Sequence, residues 1–225
     1  MWCIGIITGE YLANMEDILD LYSKPQQENV VRICFDERPC QLLDNVLTPI
    51  PPKPNSTKKE HQEYLRMGVC NVLLAYNIDT GQRHLKVTDT KTKTDYANFM
   101  QWLVKEHYPE VNRIKLVQDN YSTHSYGAFY ENLPFEDARQ LKSKLEFHYT
   151  PKHASWLNMA EIEFSALSRQ CLNRRIASKE ILESEALIWQ SKRNMESIKV
   201  NWSFTTENAR DKLKNRYNEI SKINN

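Results

Sequence analysis

Two short β-rich runs, each closing on an aspartate, constrain this chain most. Asn29-Val30-Val31-Arg32-Ile33-Cys34-Phe35-Asp36 alternates Val31, Ile33 and Phe35 with other residues, and Arg113-Ile114-Lys115-Leu116-Val117-Gln118-Asp119 repeats the plan. Apolar strands ending in an acid, separated by helical patterns, predict a mixed α/β sheet with helices packed on it. Ligands of such open sheets bind at the carboxyl edge of the strands. If the two strands are parallel neighbours, Asp36 and Asp119 converge, and two hard oxygen donors close together call for a divalent cation such as Mg²⁺. Taken singly, each aspartate reads first as a strand-end turn residue or helix cap.

The rest of the chain fills in the alternation. Leu12, Met15, Leu19 and Tyr22 share one face of a predicted helix over Tyr11–Tyr22. Val69–Tyr76 and Arg83–Thr88 read as a hairpin around Asp79-Thr80-Gly81. A helix capped by Thr94 presents Tyr96, Phe99, Met100, Leu103, Val104 and His107, and Pro109 closes it. A further helix is predicted over Pro134–Lys144, and Leu145–Thr150 is a β-like run stopped by Pro151. From Met159 the pattern is helical, with breaks near Ala177 and over Asn201–Thr205. Thr48–Lys59 holds four of the nine prolines. It is read as an exposed, semi-rigid loop, because proline fixes an extended backbone and cannot donate to a ladder.

Composition excludes several classes. Ten per cent aromatic content in 225 residues is enough for a core. Five cysteines without a CxxC pair make neither a disulfide framework nor a zinc knuckle. No run reaches the ~20 apolar residues of a membrane span, and the start lacks a basic leader segment. An intracellular chain without membrane association is expected. The net charge of +1 hides an asymmetry: Met1–Leu141 has 15 basic and 19 acidic residues, Lys142–Asn225 has 15 and 10. The basic last third hints at an anionic partner.

A third acid lies in Trp156-Leu157-Asn158-Met159-Ala160-Glu161-Ile162-Glu163. Asn158 and Glu161 have capping-box spacing, which accounts for Glu161 structurally. Glu163 points roughly to the other side of the helix, and pattern alone leaves open which of the two faces a site. His124 follows Asp119-Asn120 by a short turn. Lys152, His153, Ser155 and Trp156 are residue types suited to phosphate contact and base stacking.

Asp36-Glu37-Arg38, then Leu116-Val117-Gln118-Asp119-Asn120 with His124, then the run from His148 to Glu161 resemble a known family: bacterial insertion-sequence transposases of the insertion-sequence-630 type, in the Tc/mariner superfamily of DDE superfamily endonucleases. Gln170–Ile176 and Trp202–Thr206 extend the resemblance, which runs from about Met15 to about Tyr217. It implies a ribonuclease H-like fold: antiparallel first three strands, then parallel strands, flanked by helices, with a helical C-terminal extension. It implies Asp36, Asp119 and Glu161 as a catalytic triad holding Mg²⁺ or Mn²⁺, two ions in all, and so selects Glu161 over Glu163. The implied DNA-contact set is Lys152, His153, Trp156, Asn158, His124, Arg174 and Arg175. The 42-position step from Asp119 to Glu161 is longer than in the best-studied members, with Lys152–Trp156 as an insertion.

The implied activity is DNA strand cleavage and transfer in cut-and-paste transposition into TA targets, by a homodimer joined through Thr48–Lys59. A cytoplasmic bacterial setting, at the nucleoid when acting, goes with it. The implied division is 1–28 as a helical lead-in, 29–176 as the catalytic domain and 177–225 as the extension. Family members carry N-terminal helix-turn-helix modules, for which no room exists before Tyr11, so a catalytic half is expected. The competing expectations are an inactive or repurposed DNA-binding and dimerising remnant, and a ribonuclease H-like nuclease of other substrate.

Overall fold

The computed structural model describes residues 7–54, 57 and 61–222. Part of the proline-rich loop and residues 1–6 lie outside these residues. A helix α1 (Gly9–Ser23) leads into a long strand β1 (Val30–Asn45), which pairs antiparallel with β2 (Tyr64–Asn77). β3 (Arg83–Thr88) completes an antiparallel trio. Then come α2 (Lys93–Trp102), β4 (Arg113–Gln118), α3 (Tyr126–Asn132), α4 (Phe135–Lys144) and β5 (Leu145–Tyr149). β4 lies parallel to β1, and β5 parallel to β4, so the sheet order is β3-β2-β1-β4-β5. The mixed sheet flanked by helices is thus the architecture the sequence implies. The chain continues as α5 (Met159–Gln170), α6 (Lys179–Met195), α7 (Thr206–Lys212) and α8 (Lys214–Lys222).

Strand alternation sorts the core into two layers. Val31, Ile33, Phe35, Leu73, Ala75, Ile114, Leu116 and Leu145 face α2, α3 and α4. Cys34, Val72, Leu74, Tyr76, Leu85 and Val117 face α1, α5 and α6. The central strands are covered on both faces, which is why they read as nearly continuous apolar runs.

Three local differences from the sequence reading have physical causes. β1 does not stop at Asp36 but runs nine residues further, because β2 supplies a partner as far as Tyr64. This forms a projecting two-stranded arm, with a register shift at Leu42/Leu43 opposite Gly68. Gly68 has φ +120, which an L side chain rarely adopts. The cap of α2 is Thr92, not Thr94, because Asp95 at the third helical position closes a reciprocal capping box with Thr92. Finally, the last turn of that helix, Leu103–His107, is π-helical. The extra residue rotates the apolar face, so Tyr108 is buried where His107 was expected, and His107 is exposed. Helix α3 has no counterpart in the sequence reading; its seven residues are too few for a periodic pattern.

One polar interaction crosses the α5/α6 layer. Glu163 of α5 is fully buried and is gripped by Arg83 of β3, itself 0% exposed, through Nε–Oε2 at 2.5 Å and Nη2–Oε1 at 2.8 Å. Arg193 of α6 adds a second pair at 3.1–3.2 Å. Arg83 also donates to the Ile198 carbonyl at 2.7 Å. Removing one member of such a network strands a buried charge. Glu163→Ala is expected to lose about 3–5 kcal/mol of stability in denaturant unfolding, whereas Glu161→Ala, two positions away and exposed, costs under about 1 kcal/mol without metal.

Candidate active site

The parallel pairing of β1 with β4 ends at Cys34↔Val117, both facing the α5 layer. Asp36 and Asp119 each follow two residues later. Asp36 sits within β1, opposite Leu74 of β2, and Asp119 is the first residue beyond β4. Glu161 stands in the first turn of α5. Asn158 fixes that helix against the strand: its side-chain oxygen accepts from the Ala160 amide at 3.1 Å, and its side-chain nitrogen donates to the Phe35 carbonyl at 2.8 Å. The Tyr22 hydroxyl donates to the Leu157 carbonyl at 2.7 Å and braces the same corner. No reciprocal capping box forms, so the Glu161 carboxyl is left exposed.

A cleft of about 520 Å³ is lined by Asp36 and Glu161, with Arg38, Ser165, Ser168 and Arg169. Burial, then the negative charges of Glu161, Glu37 and Asp119, push the Asp36 carboxyl up to about 8, against a hydrogen bond at 2.8 Å from the Glu37 amide. A bound cation relieves acids that raise one another in this way. The donors are hard carboxylate oxygens, which fit Mg²⁺ or Mn²⁺. Among the described residues no three acids, histidines or cysteines stand close enough to hold an ion as they are. The triad is therefore adjacent rather than preassembled.

Asp119 is occupied by His124. The Nδ1 of His124 lies 2.5 Å from Asp119 Oδ1, and its Nε2 lies 2.9 Å from Glu37 Oε2. The ring is wedged against Phe35 and Tyr96, with centroids 5.4 and 4.8 Å away. Tyr149 donates to its carbonyl at 2.9 Å. Burial would lower the His124 pKa, but Asp119 and Glu37 outweigh it and raise it to about 9. Burial opposes, but His124 still draws the Asp119 carboxyl below its ordinary value. Glu37 is a site residue that the sequence reading does not single out. A signal for it exists: an acid directly after Asp36, which alternation sends to the opposite face, where His124 lies.

The other residues expected to contact DNA divide sharply. His124 and Asn158 are 2% and 1% exposed, so as folded they present nothing to a ligand. Trp156, half-buried, stacks on Trp202 at 6.5 Å and meets Phe204 edge-on at 5.6 Å, which holds the segment before α7. Arg175 donates to Asn45 Oδ1 at 2.9 Å and to the carbonyls of His61, Gln62 and Glu63, which anchors the base of the arm. Arg174 is paired with Glu185 at 2.5 Å. Lys152 and His153 are exposed in the turn before α5, with His153 at φ +64.

The model of the DDE superfamily endonuclease family matches residues 31–183. Among solved structures, the Mos1 transposase paired-end complex with left transposon end and the Mos1 strand transfer complex both align at TM-score 0.57 and 12% identity, over 88% of this chain. A pre-cleavage Mos1 transpososome aligns at TM-score 0.56 and 11% identity, over 90% of this chain and 67% of that one. A Mos1 mariner paired-end complex with Mn aligns at 0.54. At this identity the likeness shows the fold. This chain spans 61% of the length of the first Mos1 chains. No curated protein matches.

The His124 contacts carry a pH signature. Its folded pKa lies above the unfolded value of about 6.5, so the stabilisation is complete below about pH 6.5 and is lost as pH rises through about 9. Its full size is on the order of 3 kcal/mol. The stability difference between wild type and His124→Phe, measured by chemical unfolding without metal, is expected to shrink over that window.

Proposed function

The chain belongs to the DDE superfamily endonucleases, and within that family we propose that it is the catalytic domain of an insertion-sequence transposase of the insertion-sequence-630 type. The observation that carries the reading is the cleft in which Asp36 and Glu161 face one another, with Asp119 charged nearby. The first two lack any cationic partner among the described residues. The reaction proposed is cleavage and transfer of DNA strands in cut-and-paste transposition into TA targets.

The residues divide the work by position. Asp36 is held on the central strand, Glu161 on a helix pinned to that strand by Asn158, and Asp119 at the end of the parallel neighbour. Together they would hold Mg²⁺ or Mn²⁺, two ions in the full reading, which when bound supply charge to the attacking and leaving oxygens at phosphorus. His124 sets the orientation of the Asp119 carboxylate, and Glu37 holds His124. The partners proposed are double-stranded DNA, element ends and target alike. Residues 29–176 form the catalytic unit in this reading, with 1–28 as lead-in and 177–225 as a helical extension. No helix among the described residues is long and apolar enough to cross a membrane; action at the bacterial nucleoid is part of the proposal.

The arm supports the proposed homodimer. Tyr64, Leu65, Met67 and Val69 are 45–51% exposed along its β2 strand, and Leu47 and Ile50, just beyond the end of β1, are 59% and 56% exposed, an unusual number of open apolar side chains at one end of the sheet. The loop 48–59 at its tip lies partly outside the described residues.

Two measurements test these readings. Wild type is expected to nick DNA with Mg²⁺ or Mn²⁺, and Asp119→Asn to reduce nicking by at least about 10²-fold; equal rates would remove Asp119 from the site. In sedimentation, excision of 48–59 is expected to shift the protein from dimer to monomer, and an unchanged profile would exclude the arm as the interface.

A further inference from the structure

Arg169 stands where two depressions meet. It lines the cleft that holds Asp36 and Glu161, and it also lines a groove of about 820 Å³ between α5 and α6, with Arg174, Lys192 and Arg193. The exposed face of α5 connects the two. Glu161, Ser165, Ser168 and Arg169 fall at spacings of four, three and one, so they share one side of the helix. Eight residues at 1.5 Å rise put Arg169 about 12 Å along the axis from Glu161, close to the ~3.4 Å per nucleotide advance of three to four steps of a DNA strand.

The chemistry along this line changes from acid to base. Arg38 crosses from β1 to α5, where one guanidinium nitrogen donates to the Ser168 hydroxyl and to the Phe164 carbonyl at 3.3 Å. Its Nε and second terminal nitrogen make no hydrogen bond among the described residues. In the outer groove Arg174 and Arg193 are tethered by Glu185 and Glu163, while Arg169 and Lys192 have no ion-pair partner among the described residues. Uncommitted guanidinium and ammonium groups beside a carboxylate cleft match a polyanion whose backbone leaves that cleft.

We propose that Arg38, Arg169 and Lys192 form a phosphate track that carries a DNA strand from the acid cleft into the α5–α6 groove. The proposal rests on the transposase reading and adds the surface on which flanking DNA lies. The occupant is DNA backbone rather than an acidic peptide because the cations begin beside the carboxylates of the cleft, at Arg38, and continue through Arg169, the residue common to both depressions, to Lys192 in the groove. Arg169 is a binding residue here, with no part in the bond-breaking step.

The test uses the full chain and a labelled 30-base-pair duplex without divalent metal, with affinity measured across a salt series. Every phosphate that a variant ceases to neutralise lowers the slope of log K against log salt by about 1. Arg169→Gln is expected to lower it by about 1, Arg169→Gln with Lys192→Gln by about 2, and Arg139→Gln on the far side by nothing. Melting temperature is expected to hold, since Arg169 and Lys192 are exposed. Metal-dependent nicking by wild type is measured in parallel. Nicking with unchanged slopes in the variants would overturn the track and leave the transposase reading standing. Reduced slopes without nicking would keep the track and remove that reading. A duplex that does not bind wild type would overturn the track outright, as would an acidic peptide that binds the groove while the duplex leaves the slopes alone.

Discussion

The buried contact of Arg83 and Arg193 with Glu163 is the interaction on which the rest of the arrangement depends. It ties a sheet edge, α5 and α6 through one carboxylate. Charges removed from water are costly unless every one is matched, so this junction tolerates little rotation of α5 about its axis. Because Glu163 must face inward, Glu161 is turned toward the cleft. The choice between two acids two residues apart is made by the pair that consumes one of them.

The opposite condition holds at Asp36. There acids gather with too little positive charge, and the carboxyl is lifted to about 8. The fold supports that unfavourable cluster with neutral hydrogen bonds: Asn158 to the Phe35 carbonyl, and the Glu37 amide to Asp36. Asp119 is kept ionised by a cationic histidine that Glu37 holds from behind. An acidic cleft with little positive charge beside a satisfied ionic junction fits the proposed reading of a cation-binding site.

Much of this is legible in the sequence. Asp36, Asp119 and Glu161 are marked by apolar runs ending in acids and by a motif of high specificity, and the antiparallel-then-parallel sheet is implied by the same resemblance. The contacts of single residues are not legible. Trp156 and Arg175 have the chemistry of DNA-binding side chains, yet one is spent on Trp202 and the other on the base of the arm. Asn158 and His124 are buried as braces. A side chain's type states what it can bind, and only the neighbours brought in from distant sequence state whether it is free to do so. Glu37 carries a local signal, an acid directly after Asp36, but its partner His124 lies 87 positions away, and only the fold brings the two together.

The sequence by itself determined the elements and which acids could matter, since hydrophobic alternation and helix periodicity are local and survive without tertiary contacts. Only the tertiary structure decided how far β1 runs, which face of α5 is open, which cations remain unpaired, and that Asp119 is held by His124. Those outcomes depend on burial and on partners that lie from 5 residues away, as His124 does from Asp119, to 87, as Glu37 does from His124, and desolvation is a property of the packed molecule rather than of any stretch of chain.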